Sequence, residues 1–199
     1  MRRFLCAPPA SPRDMALLVA LLNFIVVYMD NVPSDGGAHS WIKSCFLGKD
    51  ASIIALLSRD RLFPQQSPQE SIEVTQLHIH IVKVLLRCVV LLEFNNDFDS
   101  SRLESLVKIL LACLDRVDLR NFHMLGYLNE LIRCLRYAIN SRYCKLSENT
   151  LIECLKLVTR TLSGCAAGSG RKGQACRLDA MLALAAMLRQ IHEEGIPVQ

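Results

Sequence analysis

Glycine and proline are scarce in this chain, which has nine glycines and seven prolines among 199 residues. That composition excludes collagen-like and proline-rich sequences. Charged residues are also few, at 21% against 51% hydrophobic residues, and this balance excludes an intrinsically disordered chain. We therefore expect a globular protein of one or two domains that can bury a core of its own.

The sequence lacks the short motifs that mark most catalytic and metal sites. No C-x-x-C or G-x-S-x-G occurs, and Gly168-x-Gly170 lacks the preceding strand and further residues of a phosphate-binding loop. His78 and His80 are two residues apart, a spacing that points them in nearly opposite directions on a helix, so they cannot share a metal. We expect no enzyme, cofactor, metal or small-molecule substrate.

Cysteine usage favours a reducing compartment. The nine cysteines are an odd number, and the sequence has no N-x-S/T glycosylation site. Several cysteines lie inside apolar helical patterns, where a free thiol behaves as a small hydrophobic group: Cys88, Cys113, Cys134 and Cys154. We therefore expect a cytoplasmic or nuclear protein with free thiols.

One segment supports a different location. Met15–Met29 is apolar except for Asn23 and follows a leader with three arginines, as in a signal peptide, but its fifteen residues are too few to span a membrane unaided. Two interpretations stay open: a buried first helix, or a signal or anchor. In the second, residues 1–34 are a signal peptide, and the chain is a secreted, cytokine-like four-helix protein whose eight remaining cysteines can pair.

The chain divides into three predicted regions: a flexible leader at 1–13, an N-terminal helical cap at 14–62, and a helical repeat region at 71–196. In the cap, Asp14 is the predicted N-cap of the first helix, and shorter helices follow at 41–47 and from Asp50. The repeat region is predicted to contain five helices, at about 71–94, 101–116, 122–140, 147–163 and 174–193.

Local signals mark several helix ends. Ser147 is a predicted N-cap, and Gly164 is predicted to end the same helix as a C′ glycine before a loop at 164–173. The sequence Ser101-Arg102-Leu103-Glu104 has the form of a capping box. One apolar stripe has the helical period, which predicts a buried face: Leu103, Leu106, Val107, Leu110 and Leu114.

The helices of the repeat region recur at nearly constant spacing. An offset of 48 residues aligns Leu110 with Val158, and offsets of 47 and 50 align Leu128 with Ile81 and with Leu178. Over about 71–193 the chain thus resembles armadillo/HEAT-type helical repeats, whose period is about 40–47 residues. The resemblance implies an all-α solenoid of stacked antiparallel helix pairs and a non-catalytic scaffold or adaptor, as a whole protein or as a fragment or short form of a longer array.

The candidate binding surface is a polar stripe on the helix at 122–140. Its members are Asn129, Arg133, Arg136 and Asn140, at i, i+4, i+7 and i+11. Similar repeats line their grooves with such residues, so the resemblance implies that the stripe binds an acidic or extended protein segment. The alternative is a solvated helix face on which Glu130 pairs with Arg133.

The charge distribution also bears on the partner. Residues 101–199 contain fourteen basic and nine acidic side chains, which suits an acidic protein partner. The pI is 8.6, whereas nucleic-acid-binding domains typically have a pI above about 9. Weak nucleic-acid binding remains a third alternative, and we expect no membrane partner unless 15–29 is a signal or anchor.

Overall fold

The computed structural model describes residues 11–31, 37, 40–41, 68–95, 100–117, 119, 124–141, 144–164 and 170–195. The elements within these ranges are all α-helices, so the all-α prediction is confirmed for this part of the chain. They are α1 (Pro12–Asn31), α2 (Pro68–Asn95), α3 (Ser100–Asp115), α4 (Leu125–Asn140), α5 (Glu148–Gly164) and α6 (Gly170–Glu194). Apart from Trp41, which is helical, the helices predicted at 41–47 and from Asp50 lie outside the described residues.

The chain forms two units, Met1–Asn95 and Asn96–Gln199. Helix α2 therefore groups with α1, whereas the sequence had placed 71–94 in the repeat region together with the later helices. The first unit is built on the packing of α1 against α2. Asp30 of α1 and Arg87 of α2 form an ion pair at 2.9 Å beside this apolar contact.

The start of α1 corrects one predicted cap. Ser11 Oγ accepts a hydrogen bond from the Asp14 backbone N–H at 3.2 Å and donates one to Asp14 Oδ2 at 2.8 Å. Ser11 is therefore the N-cap, and Asp14 is its reciprocal partner three residues later. Pro12 occupies the first helical position, where a missing N–H costs nothing.

Helix α1 is apolar on two faces. One face is buried and carries Leu18, Leu22, Ile25, Val26 and Met29, while the opposite face exposes Leu17, Phe24 and Val27. By length and composition, Arg13–Asn31 is able to cross a membrane, with 28% of this window buried. The same properties are typical of a core helix and of a signal sequence, so both interpretations of Met15–Met29 persist.

The second unit has a distinct pattern of helix contacts. Helix α3 packs against α4 and α5, and α6 packs against α4 and α5, with the α4–α6 contact the most extensive. Among the described residues, α4 and α5 make at most marginal contact although they are consecutive. The predicted stripe of α3, Leu103 to Leu114, is buried, as the helical period of its apolar residues indicated.

The glycine that has the left-handed conformation of a C′ residue is Gly195 and not Gly164, for which that role was predicted. Gly164 is the last residue of α5, and a Cβ added there would meet Leu119 Cδ1 at 2.5 Å, so a larger residue would force the Leu119 side chain to shift. Gly195 follows α6 with a φ of 65°, in the left-handed region that favours glycine. Because α6 begins at Gly170, Arg171 is helical, although the sequence had placed it in a loop.

Candidate functional site

The predicted polar stripe of α4 faces α6, and its two arginines converge on one carboxylate. Arg136 Nε lies 3.2 Å from Asp179 Oδ1, and Arg133 Nε lies 3.6 Å from Asp179 Oδ2. Asp179 belongs to α6 and is only 7% exposed. The predicted alternative contact also forms, with Arg133 Nη1 3.8 Å from Glu130 Oε1. Much of the positive charge of the stripe is therefore balanced within the protein itself.

The two asparagines of the stripe have different surroundings. Asn140, the exposed last residue of α4, accepts a hydrogen bond at 3.0 Å from Arg189 Nη2 of α6. Asn129 is half-buried, and its Oδ1 has no hydrogen-bond partner among the described residues. The structure thus brings Arg133, Arg136 and Asn140 together at the α4–α6 seam.

The sequence analysis missed two polar residues of α6 that complete this seam. One is Asp179, the single acidic side chain between Arg171 and His192, a position that could have drawn attention. The other is Gln190, whose Nε2 donates hydrogen bonds to two carbonyl oxygens, Ile139 O in the last turn of α4 at 3.0 Å and Cys144 O in the segment after α4 at 2.8 Å. No local pattern identifies Gln190, because both of its partners are distant in sequence.

The α3–α5 seam has a polar contact of its own. Glu104 Oε1 accepts hydrogen bonds from Ser147 Oγ at 2.6 Å and from Thr150 Oγ1 at 2.9 Å, and it lies 3.1 Å from Lys108 Nζ. These bonds, with that from Ser147 foremost, lower the pKa of Glu104 from 4.5 to about 2. The Glu104 carboxylate therefore serves the start of α5, whereas the sequence had assigned it to a capping box at the start of α3.

A groove runs beside the α4–α6 seam. One part, of about 400 Å³, is lined by Arg136, Tyr137, Asn140, Leu182, Ala185, Ala186 and Arg189. A second part, of about 370 Å³, shares Asn140 and Arg189 with the first and continues past the end of α4. The Arg136 guanidinium lies 4.5 Å from the centre of the Tyr137 ring, within cation–π range. Two of the four predicted site residues, Arg136 and Asn140, therefore line this groove.

Large apolar side chains cover the side of α6 that points away from the core. We call this surface the outer face of α6 and define it by Leu178 (59% exposed), Met181 (58%), Leu182 (42%), Ala185 and Leu188 (55%). Their spacing of three and four residues places them in one stripe along the helix. Scattered exposed apolar residues are ordinary, whereas these five form one continuous exposed stripe along the helix.

Burial shifts the pKa of two cysteines and one histidine among the described residues. Burial raises the pKa of the Cys144 and Cys154 thiols to about 12, so both stay protonated at neutral pH and are poor nucleophiles. Burial lowers the pKa of His78 to about 4, which keeps its ring neutral. Within the described ranges, no three His, Cys, Asp or Glu side chains are grouped so that they could hold a metal ion.

Comparison with known proteins adds no relative to this picture. No protein-family model matches the chain, and no curated protein or solved structure is significantly similar to it.

Proposed function

We propose that this chain is a non-catalytic scaffold or adaptor for protein–protein interaction, built on stacked helical hairpins of armadillo/HEAT type. The hairpins are α3–α4 and α5–α6. The proposal is supported chiefly by which helices of the second unit touch each other. No catalytic step is part of it.

The contact pattern favours two stacked hairpins over a simple up-down bundle. In an up-down bundle each helix packs against the next one in sequence, so α4 would pack against α5. Here the first helices of the two hairpins, α3 and α5, contact each other, and so do the second helices, α4 and α6. That pairing is the one expected when one repeat stacks on the next.

The outer face of α6 is the observation that carries the binding role. In a stack of repeats, a helix with apolar residues on both faces packs against one neighbour on each side. Helix α6 meets α4 with one face and leaves Leu178, Met181 and Leu188 exposed on the other. A partner protein that covers this face would remove these side chains from water.

We also propose that the protein works inside the cell, in the cytoplasm or nucleus. Six cysteines of the described residues are buried in the core, and Cys144 and Cys154 among them are free thiols: Cys88, Cys113, Cys134, Cys144, Cys154 and Cys176. In addition, α1 contributes buried side chains and Asp30 to the first unit, which a cleaved signal peptide would not. The apolar composition of α1 is what favours the secreted alternative.

One affinity experiment tests the binding role. The tagged full chain is expressed in cells, and the retained proteins are quantified against a tag-only control. We expect at least one partner in near-stoichiometric amount, whereas retention equal to the control would contradict the proposal. A mass spectrum of the intact chain tests the location: an N-terminus within residues 1–10 and nine free thiols are expected, and loss of residues 1–34 would favour secretion.

A further inference from the structure

We propose that the outer face of α6 binds an amphipathic helix of a partner protein, with acidic residues on that helix beside its apolar stripe. This inference rests on the proposed function and adds the location and the chemistry of the partner. The apolar stripe indicates that the partner segment is a helix, and the surrounding basic residues indicate that its charge is negative.

The spacing of the outer face suits another helix. Leu178, Met181, Ala185 and Leu188 follow one another at intervals of three, four and three residues, the pattern of a helix–helix seam. From the first to the last of them the stripe is about 15 Å long, or roughly three helical turns. Ala185 lies in its middle, where a small side chain allows a partner helix to approach closely.

The charges beside the outer face are basic. Arg171 lies seven residues before Leu178 and Arg189 seven residues after Leu182, so both are on the same side of α6 as the stripe, and Arg177 lies at its edge. All three are exposed. Among the described residues, no carboxylate is within ion-pair distance of Arg171 or Arg177, while Glu193 lies 4.0 Å from Arg189. Asp179 is buried on the opposite face against α4.

The groove gives acidic side chains a place to bind. Its first part opens between Arg136 and Arg189 directly beside Leu182 and Ala185. A glutamate or aspartate that flanks the partner's apolar stripe would enter this space and approach both guanidinium groups. Arginine is well suited to this, because its planar group forms paired hydrogen bonds with a carboxylate.

The same charges disfavour two other occupants. If two copies paired through this face, an antiparallel arrangement centred on the stripe would bring Arg177 opposite Arg189, and a parallel one would bring each arginine opposite its own copy. Like charges placed in this way repel. A lipid surface would meet a concave groove and a face whose five residues include no aromatic side chain, whereas membrane-surface helices commonly carry Trp or Phe.

Designed peptides provide the probe for this proposal. Three fluorescent peptides of about five helical turns share one framework: leucines at the i, i+3, i+4 and i+7 spacing flanked by glutamates, the same leucines flanked by lysines, and glutamates with the leucines replaced by glutamine. Binding to the full-length chain is followed by fluorescence anisotropy. We expect the acidic leucine peptide to bind at least about tenfold more tightly than the other two, and more weakly as salt is added.

Two double variants test the stripe and the charges separately. We expect L178Q with M181Q to lower affinity for the acidic leucine peptide at least about tenfold. R177E with R189E is expected to reverse the preference, so that the lysine-flanked peptide binds more tightly. The matched controls are I152Q and K156E, which change an exposed apolar and an exposed basic residue of α5, and neither should alter peptide affinity. Circular dichroism verifies that every variant is folded.

Four results would overturn the inference. Two concern the peptides: equal binding of the acidic and basic peptides, or a charge-reversal variant that still prefers the glutamate-flanked peptide. The other two concern different occupants: self-association of the wild-type chain that L178Q with M181Q abolishes, or binding to anionic lipid vesicles in place of the peptide. The proposed function is tested apart from it. Cellular partners retained equally by the wild-type chain and by L178Q with M181Q would contradict the α6 site alone, whereas no partner on the wild-type chain contradicts the scaffold.

Discussion

An ordinary amphipathic helix buries its large apolar side chains and exposes its polar ones, whereas α6 exposes most of its large apolar side chains. The inner face, which packs against α4 and α5, carries mainly small and polar residues, with two large apolar side chains, Met187 and Ile191, among them: Cys176, Asp179, Ala180, Ala183, Ala186 and Gln190. The outer face carries three leucines and a methionine. Alanine buries little apolar surface, so the inner contact draws less on the hydrophobic effect than leucines at those positions would.

This difference shows what holds α6 in place. The alanines let α6 approach α4 closely. Asp179 then fixes its position through Arg133 and Arg136, and Gln190 does so through the carbonyls of Ile139 and Cys144. Four large apolar side chains, those of Leu178, Met181, Leu182 and Leu188, face outward, where they add little to folding. We infer that the inner face serves stability and the outer face serves binding, and the variants below test this separation.

The largest expected effect comes from a charge in the core. Leu110 of α3 is 1% exposed, so L110D places a carboxylate among apolar side chains and should cost about 4 kcal/mol or more of unfolding free energy. The matched control is L188D on the outer face of α6, for which we expect a change within about 0.5 kcal/mol. Urea unfolding followed by circular dichroism measures both, and equal losses would contradict the separation of the two faces.

The next effect concerns the ion cluster on the inner face. D179A removes the carboxylate that both Arg133 and Arg136 approach and leaves two partly buried cations close together. We expect a loss of about 2 kcal/mol, below the range for a fully buried pair because both arginines are partly exposed. The control is E153A on α5, an exposed position where little change is expected. A D179A protein as stable as the wild type would mean that apolar packing alone holds α6.

The helical periodicity of the sequence predicted which side chains are buried. It was less informative about which helices pack against each other. The 3.6-residue period of α3 is a local property, so the burial of Leu103 through Leu114 could be predicted from the sequence. The contact of Asp179 with Arg136 joins residues far apart in the chain, and no local pattern encodes it. The polar stripe of α4 was therefore predicted, but its cover by α6 was not.

The same limit explains the glycine and the glutamate that had different roles from the predicted ones. Gly164 comes at the end of an apolar helical pattern, where a C′ glycine is expected, yet it is the last residue of α5 itself and packs beside Leu119. Glu104 is three residues after Ser101, as in a capping box, yet Ser147 and Thr150 come close enough to bind it. In both cases tertiary packing overrides a valid local signal.

A smaller effect is expected from the second polar contact of the inner face. In Q190A, the carbonyl oxygens of Ile139 and Cys144 lose the side-chain amide that donates to them. A buried acceptor left without a donor costs about 1 to 2 kcal/mol. Q174A, at an exposed position near the start of α6, is the matched control. Hydrogen exchange at the end of α4 should increase in Q190A only, and equal exchange in both variants would exclude this capping role.

The smallest expected effect lies at the α3–α5 seam, whose polar contact is more exposed than that of α4–α6. The Glu104 carboxylate has a pKa of about 2 in the folded protein and 4.5 when unperturbed, so its stabilising effect is present above about pH 4.5 and is lost as the pH falls toward 2. Because Glu104 keeps 22% of its side chain exposed, we expect E104Q to lower the unfolding free energy at pH 7 by only about 1 kcal/mol.

The pH dependence separates this contribution from packing. The stability difference between wild type and E104Q should shrink as the pH is lowered from about 4.5 toward 2, because Glu104 of the unfolded chain gains a proton in this range while the folded carboxylate, with a pKa of about 2, stays largely ionised. Denaturant unfolding at several pH values measures the difference, with E153Q on the exposed surface of α5 as the control. A stability difference that stays constant with pH would mean that the charge of Glu104 does not hold α3 to α5. The α3–α5 seam would then differ from the α4–α6 seam, where we expect a charged contact to stabilise the packing.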